Sequence, residues 1–512
     1  MGVPAARGPR RKLLVVVVLW CGIVGLALAF SDGFSLLRAI GNRLEQIGRQ
    51  ATLALSLPAP VAGVVPAQAL LQEAAAADPM TTRDGGGWVR TSSSEGAIDT
   101  SNAFFQSIGT NGRSCNSCHR QEAAWSITPG EIQARFTATA GTDPLFRTND
   151  GSNSPDVDVS TVDARRHAYS MLLTRGLIRV GMPIPANAEF TLAAANDPYG
   201  HANAGDLSLF RRPLPATNLG FLTGVMWDGR ETATPFLPPM HAGQDNNALQ
   251  ASLIHQATDA TIGHAQATTP PTSEQLAQIV AFETSLTTAQ VRDDAADFLN
   301  ADDAIGGTRV LSIQRFHVGI NDTLGADPTG ARFDPASMSL YATWSRTGND
   351  SLRTRARASI ARGEDLFNQR PLTITGVGGL NDALDQPAIA GTCSSCHDAP
   401  NVGNHSVALP LNLGLTDASR RTPDMPLYTL RNNTTGATVQ TTDPGLALVT
   451  GKWNDIGRFK GPILRGLAAR PPYFHNGSAA TLRDVVDFYD VRFAMHLSTR
   501  EKQDLQAFLR SL

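Results

Sequence analysis

Two short frames carry the residue types that fasten a cofactor: Cys115-Asn116-Ser117-Cys118-His119 and Cys393-Ser394-Ser395-Cys396-His397. On a helix, residues i, i+3 and i+4 share a face, so the two sulfurs and the imidazole of each frame would point the same way. Two thioethers can then grip the edge of a porphyrin while the histidine reaches its iron, which is the attachment signature of c-type haem. Two other readings start from a Cys-x-x-Cys pair. A zinc site needs further ligands at short spacing, and a thioredoxin-like redox pair has no use for the adjoining histidine. The two complete frames predict two covalently bound haem c groups, attached through Cys115, Cys118, Cys393 and Cys396, with His119 and His397 as iron ligands.

The elements that must position these frames come from a chain of 512 residues, enough for roughly two to four domains. Its 42% hydrophobic and 17% charged content is a globular balance that excludes wholesale disorder. The net charge of -3, without a basic stripe, argues against a nucleic-acid partner. Arg7, Arg10, Arg11 and Lys12 precede an apolar run from Leu13 to Phe30, which reads as a signal peptide or a membrane anchor and predicts a periplasmic body. The fifth cysteine, Cys21, lies in that run, and Trp20 before it spoils a lipoprotein box.

Strand-like alternation is scarce, so the sequence predicts an all-α fold. Two cytochrome c-like haem domains with long loops follow the N-terminal helix. The boundaries are 1–30 for the signal or anchor, 31–98 for a helix and flexible linker, and 99–294 for the first haem domain. An interdomain insert, 295–352, and a second haem domain, 353–512, complete the chain. The first domain should close with an amphipathic segment, Ser273 to Ala289. The second should open with a helix over Ala356 to Phe367 and end in one that Ser498 caps, with Glu501 three residues on.

Downstream of the second frame, the run Gly457-Arg-Phe-Lys460-Gly-Pro-Ile-Leu-Arg465, then Pro471-Pro-Tyr-Phe-His475-Asn-Gly-Ser and Thr481-Leu-Arg-Asp-Val-Val-Asp-Phe-Tyr489, closely resembles the dihaem cytochrome c peroxidase and MauG superfamily. Arg211-Arg-Pro-Leu-Pro-Ala-Thr-Asn218 and Met226-Trp227-Asp-Gly-Arg230 resemble that superfamily's motifs after the first haem. The resemblance implies an exported peroxidase that reduces hydrogen peroxide to water with electrons from a small donor protein such as a cytochrome c or a cupredoxin. In it the haem on His119 would meet peroxide, and the haem on His397 would store or relay an electron. Trp227 would stand between the two. Two alternatives stay open: MauG-like oxidation of a protein or organic substrate through a shared high-valent state, and a simple dihaem electron-transfer cytochrome with both irons six-coordinate.

The chain departs from the family pattern at four places. Where peroxidase members carry a histidine that blocks the first iron, Arg135 stands, so that iron is expected to be open. The position of the second haem's methionine ligand is Tyr489, as in MauG, with Met495 and His496 as rivals; a phenolate would favour ferric iron. The distal glutamine matches Gln256, but no glutamate follows at its offset, which leaves His264 as the candidate acid-base group beside Gln256, with His255, Gln266 and Glu231 nearby. The family's calcium ligand is replaced by Arg212, which puts calcium in doubt.

Overall fold

Arg211, buried at 2% exposure, reaches from the part of the chain that carries the first frame to the part that carries the second. Its guanidinium binds Asp228 at 2.5 Å and both carboxylate oxygens of Asp443, at 2.7 and 2.9 Å. The computed structural model describes residues 80–232, 246–346 and 350–512, all within one compact unit, Ala75–Leu512. The expected signal or anchor helix lies outside the described residues, and among those described no helix is long and apolar enough to cross a membrane.

The expectation of an all-α protein is overturned. Eleven strands occur among the described residues: β1 (Thr81–Arg83), β2 (Gly87–Ser93), β3 (Ile178–Met182), β4 (Phe190–Asn196), β5 (Leu207–Arg211), β6 (Leu286–Asp293), β7 (Asp297–Phe298), β8 (Leu372–Thr375), β9 (Ala388–Gly391), β10 (Leu427–Asn432) and β11 (Thr438–Thr441). They form antiparallel sheets in the orders β1-β2-β6-β7, β11-β10-β4, β3-β5 and β8-β9. The first sheet pairs a stretch read as linker with the end of the first haem half, in a register that sets Thr91 opposite Thr288. Its interior is polar as well as apolar. Thr288 Oγ1 lies 3.0 Å from Thr91 Oγ1 and 2.8 Å from Thr217 Oγ1, and Trp125 Nε1 donates to Thr91 Oγ1 at 2.9 Å. β-branched threonines fit a pleated surface while satisfying one another's hydroxyls, so the strands carry no hydrophobic alternation to read.

Among the described residues six helices have eleven or more residues: α1 (Pro129–Thr139), α2 (Asn246–Gly263), α3 (Ser273–Ser285), α4 (Leu352–Gln369), α5 (Leu482–Arg492) and α6 (Thr499–Arg510). The amphipathic segment expected to reach Ala289 stops as a helix at Ser285, because Leu286 turns into β6. Helix α6 begins where its cap predicts: Ser498 Oγ accepts from Glu501 N, and the Glu501 carboxylate accepts from Ser498 N. α4 and α6 pack closely at Gly363, where a Cβ would meet Asp504 O at 2.0 Å, so no other residue fits that crossing.

The segment expected as an interdomain insert wraps the second frame. Ser337 Oγ donates to His397 O at 3.2 Å, and Asn321 Nδ2 donates to Asp398 O at 3.0 Å. Its Tyr341 and Trp344 are fully buried in the core that also holds Phe367 and Phe508 of α4 and α6.

Candidate functional site

Each Cys-x-x-Cys-His frame folds as a single 3-10 turn rather than as part of a longer helix, and the two turns are built alike. Ser117 Oγ accepts from Ser114 N at 3.0 Å, and Ser395 Oγ accepts from Thr392 N at 2.9 Å. Both histidine amides donate to the carbonyl of the first cysteine at 3.0 Å, which keeps sulfurs and imidazole together. His119 Nδ1 donates to Trp125 O at 3.0 Å, and His397 Nδ1 donates to Gly403 O at 2.5 Å. A carbonyl only accepts, so Nδ1 carries the proton and Nε2 keeps the lone pair that an iron requires. Both carbonyls sit on left-handed backbone, with φ of 60° at Trp125 and 75° at Gly403. The indole of Trp125, 1% exposed, holds that conformation in place.

The frames open onto two separate cavities. Cys115, Cys118 and His119 line the first, together with Arg113, Asp150, Gln256, His264 and Glu283. Cys393, Cys396 and His397 line the second, with His475, Tyr489 and Met495. Trp227, Arg212 and Lys460 lie on the walls of both.

The residues present fit two covalent haems. All four cysteines of the frames are unbridged thiols, and burial pushes Cys118 up to about 11 and Cys393 and Cys396 up to about 12. Among the described residues, neither frame belongs to a group of three converging metal donors, so nothing supports the zinc reading. Among the described residues three buried cations, Arg212, Arg470 and Lys460, have carbonyl partners and no carboxylate. Arg212 bonds Arg175 O, Arg470 O and Pro471 O; Arg470 bonds Ile463 O and Arg465 O; Lys460 bonds Gly224 O. Burial brings them down to about 9, 10 and 7 respectively. Uncompensated buried charge is costly, and the carboxylates of a haem are the counter-ions such a wall calls for. His475 adds both ring nitrogens without a partner on the second cavity's wall, stacked 4.1 Å from Phe459.

In the first cavity the group facing the solvent space is a relay. His264, just past the end of α2, donates from Nδ1 to Asp150 Oδ2, and the other oxygen of Asp150 takes Arg113 Nη1. Arg113 and Asn111 also bond His264 O, which fixes the backbone beneath the ring. Gly109 makes room for this, since a Cβ there would meet Ala265 O at 2.0 Å. Burial drives the Asp150 carboxyl up, but the Arg113 guanidinium and His264 overcome it and hold the group below its ordinary value. The partner of His264 is thus Asp150 and not Gln256, although Gln256 shares the wall. Glu231 and His255 pair with each other at 2.5 Å, and neither lies on the wall; Gln266 is exposed and also outside it. Arg135, on α1, binds Ser117 O at 2.7 Å and the Asp143 carboxylate, so it braces the frame from behind. The imidazoles lining this cavity among the described residues are His119 and His264.

In the second cavity Tyr489 faces Cys393 and Cys396, and burial pushes its phenol up. Met495 is on the same wall, whereas His496 is exposed and off it. Trp227 donates from Nε1 to Arg212 O at 2.8 Å and lies 6.2 Å from the His475 ring. Arg113, Asp150 and Glu283 escaped sequence reasoning, and Lys460 entered it only as part of a motif. Asp150 sits in a Gly- and Asn-rich stretch that reads as a turn, and no spacing ties it to the residues it meets.

Unbridged frames, tautomer-fixed histidines and a wall of buried cations have the chemistry that c-type haem attachment requires. No family model matches the chain. It is 31% identical over 140 residues to the cytochrome-c peroxidase IdrP1 of Pseudomonas sp. (strain SCT), a match taking in 23% of this chain and 36% of that protein. It is 30% identical over 132 residues to the cytochrome-c peroxidase IdrP2 of Denitromonas iodatirespirans, over 24% of this chain and 36% of that one. The chain therefore spans about a third of the length of the curated relatives it matches. A crystal structure of a MauG-like protein associated with microbial copper homeostasis aligns over 80% of this chain and 86% of its own, at 16% identity and a TM-score of 0.33. Over the stretches matched to the curated relatives the chain is similar to proteins named cytochrome-c peroxidases, in line with the family its motifs resemble.

Proposed function

We propose that the protein is a periplasmic peroxidase that reduces hydrogen peroxide to two waters, with two electrons drawn from a small donor protein. The observation that carries this reading is the His264-Asp150-Arg113 relay facing the cavity of the first frame. Haem held there by Cys115, Cys118 and His119 would supply the redox chemistry of O–O cleavage. The chain's own part is proton management. Asp150 holds the proton of His264 on Nδ1, so Nε2 enters as a base. It takes the proton from one peroxide oxygen and returns it to the other, which leaves as water. Arg113 keeps Asp150 ionised through the cycle, so the tautomer does not drift. Such assistance is worth about 10²–10⁴-fold.

The test is the ferric protein mixed with one equivalent of peroxide in a stopped-flow spectrometer. Wild type should react without prior reduction, and His264→Ala should react at least about tenfold more slowly with both haem spectra unchanged. Equal rates would remove the relay from the chemistry. Oxidation of a protein or organic substrate is a second reading, favoured by Tyr489 on the second cavity's wall. A peroxide-treated enzyme that oxidises no added donor cytochrome would shift the balance to it.

A further inference from the structure

One buried group of donors has no part in the roles assigned so far. Asp322 comes from the loop that wraps the second frame, Asp398 follows His397, and His405 lies on the strand-less turn beyond. One carboxylate oxygen from each aspartate and one ring nitrogen of His405 lie within 4.8 Å of one another. The three residues are 1%, 0% and 3% exposed. Each aspartate is anchored by one atom and leaves another for the centre. Asp322 Oδ2 accepts from Leu324 N at 3.0 Å and Ala326 N at 2.7 Å, while its buried Oδ1 has no partner. Asp398 Oδ1 accepts from Ser406 N at 2.6 Å, and Oδ2 takes only Ser406 Oγ, at 3.2 Å. His405 Nδ1 stands 3.2 Å from that Oδ2 and is itself without a hydrogen bond.

These atoms have the spacing and charge of ligands. Two donors bound at about 2.0–2.2 Å with tetrahedral angles lie a little over 3 Å apart. Among the described residues neither carboxylate pairs with an arginine or lysine and Asp398 has His405 as its one ionic partner, so two buried carboxylates face a single imidazole and a dication would cancel their charge. The scaffold is set before any ion arrives: Asn321 Nδ2 ties Asp334 O to Asp398 O, and Gly319, at φ 85°, turns where a Cβ would strike Ala326 O at 2.4 Å. We propose that Asp322, Asp398 and His405 bind one divalent metal ion, distinct from any haem iron, of the class to which zinc and manganese belong. Calcium and magnesium take oxygen ligands, and a ring nitrogen in the set selects against them.

The test measures metal content, so it is independent of turnover and of the peroxide reading. Holo-protein stripped with dipicolinate is dialysed against micromolar Zn²⁺, Mn²⁺ or Ca²⁺ in turn and assayed by inductively coupled plasma mass spectrometry. One zinc or manganese per chain is expected beside the haem iron. His405→Gln and Asp322→Asn should each weaken its retention at least tenfold, with haem content unchanged. Because His405 also lies on the second cavity's wall, refilling the stripped protein should shift the C-terminal haem's visible band. His405→Gln keeps near-equal bulk and a polar side chain, so it reports even where Asp322→Asn fails to fold. No stoichiometric zinc or manganese, full retention in His405→Gln, or uptake of calcium alone would overturn the proposal.

Discussion

Replacing Glu283 by glutamine should stabilise the protein, and more so as pH rises. The residue lies near the end of α3, is 6% exposed, and lines the first cavity with Oε2 unpartnered. Burial alone pushes its carboxyl up to about 8 from an ordinary 4.5. Between those values the folded protein holds a proton that the unfolded chain releases, so stability falls as pH rises through that window. The penalty is absent below about 4.5 and grows by about 1.4 kcal/mol per pH unit, reaching about 3 kcal/mol at pH 7 and levelling near 5 above pH 8. Glutamine has the same shape and no such linkage. Guanidinium unfolding of the haem-loaded protein, followed by far-ultraviolet circular dichroism at pH 4.5, 6, 7 and 8, should give Glu283→Gln and wild type equal midpoints at the lowest pH. The variant's advantage should widen at each step above it. A difference that stays constant, or grows toward acid, would refute the burial argument.

The intact mass of the denatured protein should exceed its polypeptide by two haem groups, and one or none would remove the reading of the second frame. Because Arg135 braces Ser117 instead of blocking the cavity, low-temperature EPR of the ferric protein should contain a high-spin component beside a low-spin one; two low-spin signals would favour the electron carrier. Asp150→Asn should both slow the reaction with peroxide and lower the unfolding midpoint, since it leaves the Arg113 guanidinium buried without its anion, a loss of about 3–5 kcal/mol. His264→Ala, by contrast, should spare the midpoint. Tyr489→Phe should alter the low-spin EPR signal, and an unchanged signal there, with a change in Met495→Leu, would give the sixth position to the thioether.

What the sequence disclosed and what it hid follow from the range of the interactions involved. The two frames and the Ser498 cap are written within five residues each, and each folds through bonds to its own neighbours. The sheets are not local. β2 finds β6 about 200 residues on, and the two are held by Thr91 and Thr288 hydroxyls that look like solvent-facing residues until the Trp125 indole is seen to cap them. The same holds in the first cavity. His264 stood out as a histidine near a missing glutamate, but the carboxylate that orients it comes from a turn 114 residues earlier, which only the fold brings close.

The pairing of β4 with β10 bears on how such a protein can be inherited. β10 is the middle strand of its sheet, with β4 from the first haem half on one edge and β11 from the second on the other. The two frames are near-copies in local build, yet neither half is a movable part. A chain cut between them would leave β10 with a bare edge and Asp443 without the arginine it shares with Asp228. Recombination that swaps one haem half for a homologue's must therefore bring along the strand and the carboxylate that match it, so the two halves are expected to change in step rather than as interchangeable cassettes.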